Sequence, residues 1–176
     1  MNPVNVIRML CRRLRAALSS PTDYARSIGV KIGDNCLIDT RNWSSEPYLI
    51  EIGNNCQITK NVWFHTHGGA HAVRRIDPTF DLFGKIKVED YAYVGANSQI
   101  MPGVTIGEGA LISAGSIVTK SVPPGQVWGG VPARFICTVE EYYQRNKKYN
   151  LATKGLSSER KRQLLMNTPD DRFIKK

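Results

Sequence analysis

The chain has 176 residues, the size of one domain with a modest appendage, which excludes two large domains. Hydrophobic residues make up 41% and charged residues 22%, the balance of a folded chain and not of a globally disordered one. Its 24 Lys and Arg against 15 Asp and Glu leave +9, a sign that favours an anionic partner: a phosphorylated ligand, an anionic membrane or a nucleic acid.

The first segment, residues 1–27, places Val6, Ile7, Leu10, Leu14 and Leu18 at helical spacing, with Arg8, Arg12, Arg13 and Arg15 on the remaining face. The pattern predicts an amphipathic helix and linker. It would cap the exposed end of the repeat region that begins near residue 28, or else lie on a membrane surface as a peripheral contact. No apolar run nears the ~20 residues of a membrane span, and the arginines interrupt any signal-peptide core, so a cytoplasmic protein is expected. Cys11, Cys36, Cys56 and Cys137 have neither C-x-x-C spacing nor the density of a disulfide framework, and read as reduced thiols.

Residues 28–136 carry a period of six. From Val88 the column runs through Val94, Ile100, Ile106, Ile112 and Val118, and four residues after each stands Ala92, Ser98, Val104, Ala110, Ser116 or Val122. The same pattern appears at Ile32 and Ile38, offset by two residues, and at Ile52, Ile58 and Phe64. A helix repeats near 3.6 and a half-buried strand at 2, so neither explains six. A short strand followed by a corner does, and three such hexads close one turn of a parallel β-helix, with strands stacked ~4.8 Å apart. In that register Cys36 and Cys56 stack on adjacent coils, offset by an irregular stretch from Thr40 to Ser45. The repeat lapses at 70–81, where Arg74-Arg75 and Asp77-Pro78 suit an extruded loop. Residues 137–176 form a basic tail with two short polar helices, Glu140 to Tyr149 and Ser157 to Met166.

Four ordered motifs resemble one family: Val94-Gly95-Ala96-Asn97-Ser98, Met101-Pro102-Gly103-Val104-Thr105-Ile106-Gly107, Ser113-Ala114-Gly115-Ser116-Ile117-Val118-Thr119-Lys120 and Gly129-Gly130-Val131-Pro132-Ala133-Arg134. They are similar to the closing coils of the hexapeptide-repeat acyltransferases, nearest to the sugar and polysaccharide O-acetyltransferases of the maltose and galactoside type. The resemblance implies an all-β fold, a left-handed parallel β-helix with flanking helices. It also implies a homotrimer with active sites between subunits, acetyl-CoA as donor without a metal, and a histidine base.

The three histidines, His65, His67 and His71, lie around Phe64-His65-Thr66-His67-Gly68-Gly69. In relatives with a Thr-His-Asp-Gly segment the histidine after Thr is catalytic, which selects His67. Here Gly68 stands where those relatives have Asp, so a carboxylate or carbonyl from elsewhere must fix the ring's tautomer, with Asp77 and Asp81 as candidates. A backbone N–H near Gly68 or a neighbouring subunit would meet the oxyanion. By the same resemblance Tyr93, Ala96, Ala114, Thr119 and Lys120 occupy CoA-contacting positions, with Arg134 near the nucleotide phosphates. If 70–81 is set aside, the hexads at Phe64, Val94 and Ile112 share one face, and His67, Ala96 and Ala114 line one edge.

The expected reaction is direct acetyl transfer to a hydroxyl of a sugar or polysaccharide precursor, with His67 taking the proton. An amino-sugar N-acetyltransferase and a non-catalytic trimeric scaffold stay open. The γ-type carbonic anhydrases on the same scaffold draw three zinc histidines from separate coils, whereas His65 and His67 are two apart. Nucleic acid is not an expected partner, since no reading motif is present.

Overall fold

The computed structural model describes residues 19–175. The expected helix from Val6 to Leu18, with Cys11, lies outside the described residues. The described chain opens with α1, Pro21–Ser27, capped by Ser20, whose Oγ accepts from the Asp23 N–H at 3.1 Å. Ala25 of this helix is fully buried against the first coil.

The prism is then built coil by coil. The first coil contains β1 (Lys31–Ile32) and β2 (Leu37–Ile38); the second contains β3 (Ile50–Ile52), β4 (Gln57–Ile58) and β5 (Trp63–Phe64). A short helix, α2 (Ala70–Val73), interrupts before the third coil of β6 (Ile86–Val88), β7 (Tyr93–Val94) and β8 (Gln99–Ile100). The fourth coil holds β9 (Thr105–Ile106), β10 (Leu111–Ile112) and β11 (Ile117–Val118). Strands pair in parallel up three faces: β1-β3-β6-β9 on face I, β2-β4-β7-β10 on face II, and β5-β8-β11 on face III. Face II ends with β12 (Gln126–Gly130), parallel to β10, and β13 (Ala133–Thr138), which folds back antiparallel on β12.

The period of six has a direct physical basis. Val88, Val94, Ile100, Ile106, Ile112 and Val118 are all fully buried, one per face in rotation, and fill the prism axis. The residues four positions later turn the corners, where only small or β-branched side chains fit; Ala92, Ser98, Val104, Ala110 and Ser116 are all buried, while Val122, also buried, stacks on Ile106 of face I. The two buried hydroxyls are satisfied by one backbone carbonyl, Ser98 Oγ and Ser116 Oγ both donating to Ser113 O at 3.0 and 2.6 Å. Leu37 pairs with Gln57, which sets Cys36 beside Cys56 on successive coils; both are free thiols, as is Cys137. Burial pushes the Cys56 thiol up to about 11, so it packs as a neutral group.

Helices are part of the architecture, so all-β is too strict a description. After Thr138, whose capping box with Glu141 starts it, α3 spans Val139–Asn146, and α4 follows at Ser158–Met166. Neither buries a residue against the prism.

The larger correction concerns the interruption. Ile52 pairs with Val88 and Phe64 with Ile100, in each case 36 residues on where a regular prism would give 18. The insertion is therefore eighteen residues and not the twelve of 70–81. It includes the hexad at Leu82, which is exposed and outside the core. Phe64 consequently stands on face III beneath Ile100, while Val94 and Ile112 stand on face II above Ile58. The excursion leaves after Thr66 and returns at Gly84, whose N–H donates to Thr66 O at 2.8 Å. A Cβ on Gly84 would collide with the Gly103 backbone of the coil above, so glycine is what lets the chain rejoin the prism there.

Candidate active site

His67 stands at the edge between faces III and I, where the excursion departs. It is held from two sides. An antiparallel bridge pairs it with Phe83 on the returning strand, and the two rings meet edge to face with centroids 6.0 Å apart. From the coil below, Glu46 Oε2 accepts from His67 Nδ1 at 2.8 Å. A carboxylate only accepts, so this bond puts the ring proton of neutral His67 on Nδ1 and leaves the Nε2 lone pair free.

Glu46 reaches this position because the first coil is two residues longer than a regular one. Ile32 pairs with Ile52, a spacing of 20. The extra chain bulges over Thr40 to Glu46, anchored by Trp43, which is buried and stacks on Phe64 with centroids 4.9 Å apart. Ser44 follows in a left-handed conformation at φ 57° and brings its hydroxyl to 2.8 Å from that of Thr66. Thr66, itself fully buried, donates its Oγ1 proton to Glu46 Oε2 at 2.6 Å. The Thr66 hydroxyl first, and then His67, holds the Glu46 carboxyl below the usual glutamate range. Glu46 is thus a fixed negative charge behind the imidazole, able to stabilise an imidazolium as it forms.

Asp77 and Asp81 do not orient His67. Asp77 accepts from the Thr79 N–H and hydroxyl inside the excursion, at 3.0 and 2.7 Å, and Asp81 pairs with Arg74 at 3.4 Å. Both are occupied by the loop's own turns. The sequence held a pointer to Glu46 in the offset between Cys36 and Cys56, since adding that 20 to Glu46 brings it opposite Thr66, next to His67.

The cleft beside His67 has a volume of about 470 Å³ and is lined by Glu46, Gly68, His71, Arg74, Asp81 and Phe83 among others. His65 lies on the outer side of face III, its Nε2 3.1 Å from Gln99 Oε1, with Trp63 stacked on it. Among the described residues no group of three or more His, Cys, Asp or Glu is placed to hold a metal ion.

The remaining sequence-selected residues divide between two edges. Ala96 and Ala114 sit on the corner between faces II and III, one coil apart, with the Gly115 N–H donating to Ala96 O at 2.8 Å. Tyr93 lies half-buried on face II. Thr119 and Lys120 are exposed on the III–I corner, the same edge as His67 but two coils on, ~10 Å along the axis. Arg134 is exposed in the β12–β13 hairpin opposite Gly129. The expected single line of His67, Ala96 and Ala114 is therefore not formed within one chain, because it required an insertion of twelve residues, and one of eighteen leaves His67 one face away from the alanines.

The comparisons agree with this architecture. The family pattern described as bacterial transferase hexapeptide (six repeats) matches residues 85–120, and that of the hexapeptide repeat of succinyl-transferase matches residues 25–40. Protein CapG of Staphylococcus aureus is 40% identical over 149 residues, covering 82% of this chain and 87% of that protein. The galactoside O-acetyltransferase of Escherichia coli K12 is 32% identical over 136 residues, 76% of this chain and 64% of the enzyme. A hexapeptide-repeat acetyltransferase of Vibrio cholerae, solved as an acetyl coenzyme A complex, superposes with a TM-score of 0.55 at 23% identity, covering 72% of this chain and 82% of that one, which shows the shared left-handed β-helix fold. By repeat, prism and relatives alike, the chain belongs to the hexapeptide-repeat acetyltransferase family and is an acyltransferase.

Proposed function

We propose that this acyltransferase moves an acetyl group from acetyl-CoA to a hydroxyl of a sugar acceptor, with His67 as general base, and that it works as a homotrimer. The observation that carries the reading is the Thr66–Glu46–His67 network, which leaves Nε2 as a free base at the mouth of a cleft. The galactoside O-acetyltransferase relative supports a sugar hydroxyl, and the acetyl coenzyme A complex of the Vibrio cholerae protein supports the donor.

In the mechanism, the acceptor oxygen attacks the thioester carbonyl carbon as its proton passes to His67 Nε2. Glu46 balances the imidazolium charge during that step. The tetrahedral intermediate collapses with cleavage of the C–S bond, and Nε2 returns the proton to the departing CoA sulfur. A backbone N–H near Gly68 or from a neighbouring subunit faces the developing oxyanion.

A trimer reconciles the two edges. Tyr93, Ala96 and Ala114 would line the pantetheine arm on one copy, while His67 is offered by the next, with Thr119, Lys120 and Arg134 toward the CoA phosphates.

Thiol release from acetyl-CoA, measured with sugar acceptors, tests both halves of this reading. His67→Ala is expected to lose ~10²–10⁴-fold in turnover, and Ala114→Trp to block CoA. Co-expressed, the two variants should regain roughly a quarter of wild-type activity, because a site pairing the His67 of one copy with the Ala114 of the other is intact. Wild-type turnover in His67→Ala would remove the base; dead mixtures would remove the shared site.

A further inference from the structure

We propose that the eighteen-residue excursion builds an acceptor subsite for an uncharged pyranose, with Phe83 as its platform and the Arg74–Asp81 pair as its hydroxyl reader. The inference rests on the sugar O-acetyltransferase reading and narrows it to neutral acceptors.

Phe83 is a large apolar side chain left 52% exposed beside the base. Its place is set by the main chain, since its residue bridges to His67 and the rings stand 6.0 Å apart at 64°. A half-exposed aromatic ring at a fixed distance from the imidazole suits the C–H face of a sugar ring, which stacks while its hydroxyls stay free to reach polar groups.

Those polar groups line the same cleft. Arg74, at the end of α2, donates from Nε to Phe80 O at 3.1 Å, and its Nη2 lies 3.4 Å from Asp81 Oδ2. The loop thus fixes both side chains while leaving each about half exposed. A hydroxyl donates and accepts, so a neighbouring guanidinium and carboxylate together match a pair of adjacent hydroxyls.

Charge decides the class. The whole chain carries +9, yet among the described residues the cleft lining offers one permanent cation, Arg74, against two carboxylates, Glu46 and Asp81. Glu46 faces His67, and Asp81 already matches Arg74. A carboxylated sugar would bring a third negative group to a lining whose one cation is already matched, whereas a neutral ring meets no such penalty.

The test compares a methyl hexopyranoside with the corresponding methyl hexuronopyranoside, which differ only at C6, in acetyl-CoA turnover by the full chain. The neutral glycoside should show kcat/KM at least about tenfold higher. Phe83→Ala should raise the acceptor KM about tenfold and leave the acetyl-CoA KM in place, with Phe83→Tyr restoring it. Asp81→Asn, which frees the Arg74 charge, should move the neutral-to-uronate ratio about tenfold toward the uronate. An equal or better uronate in the wild type, or an acceptor KM untouched by Phe83→Ala, overturns the subsite. If neither glycoside is acetylated, saturation-transfer NMR separates the two claims. Binding of the neutral glycoside that Phe83→Ala abolishes keeps the subsite and removes the transfer reading, while no binding to wild type overturns the subsite.

Discussion

The prism contains two kinds of chain. From Ile86 to Val118 every hexad is on register, the aliphatic column is fully buried, and each strand lies 18 residues from its partner. From Thr40 to Lys85 the register breaks twice, by two residues in the first coil and by eighteen after the second. Both breaks fall on the edge between faces III and I, in successive coils. One delivers Glu46 and the other His67, and they meet at 2.8 Å. The regular half supplies rigidity and a fixed rise; the irregular half supplies side chains no hexad could offer, because hexad positions point either into a filled core or flat along a face. The Glu46–His67 pair arises here from two coincident departures.

Two isoleucines break this contrast most sharply. Ile100 and Ile76 both stand in the phase of six, but Ile100 is fully buried and Ile76 is 87% exposed on the excursion. Ile100→Ala is expected to destabilise by about 2–5 kcal/mol, as a cavity in a packed core does. Ile76→Ala should stay within about 0.5 kcal/mol. Urea unfolding of the two variants checks this, and equal losses would mean that the excursion is part of the core.

A deletion sharpens it further. Removing residues 68–85 leaves Phe64-His65-Thr66-His67-Ile86-Lys87-Val88, an unbroken hexad in the correct face order. Such a chain should melt cooperatively, its stability changed by only about 1–2 kcal/mol because a long loop is replaced by a short corner. Acetyl transfer should be lost with Phe83 and the cleft wall. Failure of the shortened chain to fold would assign the excursion a structural role.

That deletion also explains what the sequence could and could not tell. Ala70, Ile76 and Leu82 continue the apolar phase from Phe64 to Val88, so the period alone reads as continuous. Any insertion that is a multiple of six preserves phase, but the number of hexads it removes decides the face. Three hexads make one full coil and leave the face order unchanged, whereas setting aside only the two of 70–81 rotates His67 by one face relative to the alanines. The core columns were legible because burial imposes them at every coil. The place of His67 at the break in the repeat was legible, and its contact with Glu46 was not, because Glu46 lies in a stretch without phase and meets His67 only through coil stacking. Arg74 and Phe83 are placed by the excursion's own turns, which leave no periodic trace.

The smallest expected effect isolates the Glu46 charge. Glu46→Gln keeps an oxygen to accept from His67 Nδ1 and from Thr66, so the ring should hold its orientation while the imidazolium loses its counter-charge. Turnover should fall about tenfold to a hundredfold, as for other partners that orient a histidine. Stability should follow linkage. The folded Glu46 carboxyl lies below the ordinary glutamate value because Thr66 and His67 donate to it. A lowered pKa stabilises the folded state above the unfolded value, and that contribution fades as pH falls through the folded value. Wild type should therefore exceed Glu46→Gln in unfolding free energy by a constant margin at neutral pH, and the margin should shrink once pH drops below the ordinary glutamate range. Paired urea titrations at neutral and acid pH measure it. A margin that does not change with pH would mean that Glu46 acts through its shape alone, and the loss of turnover would then have to come from a displaced ring.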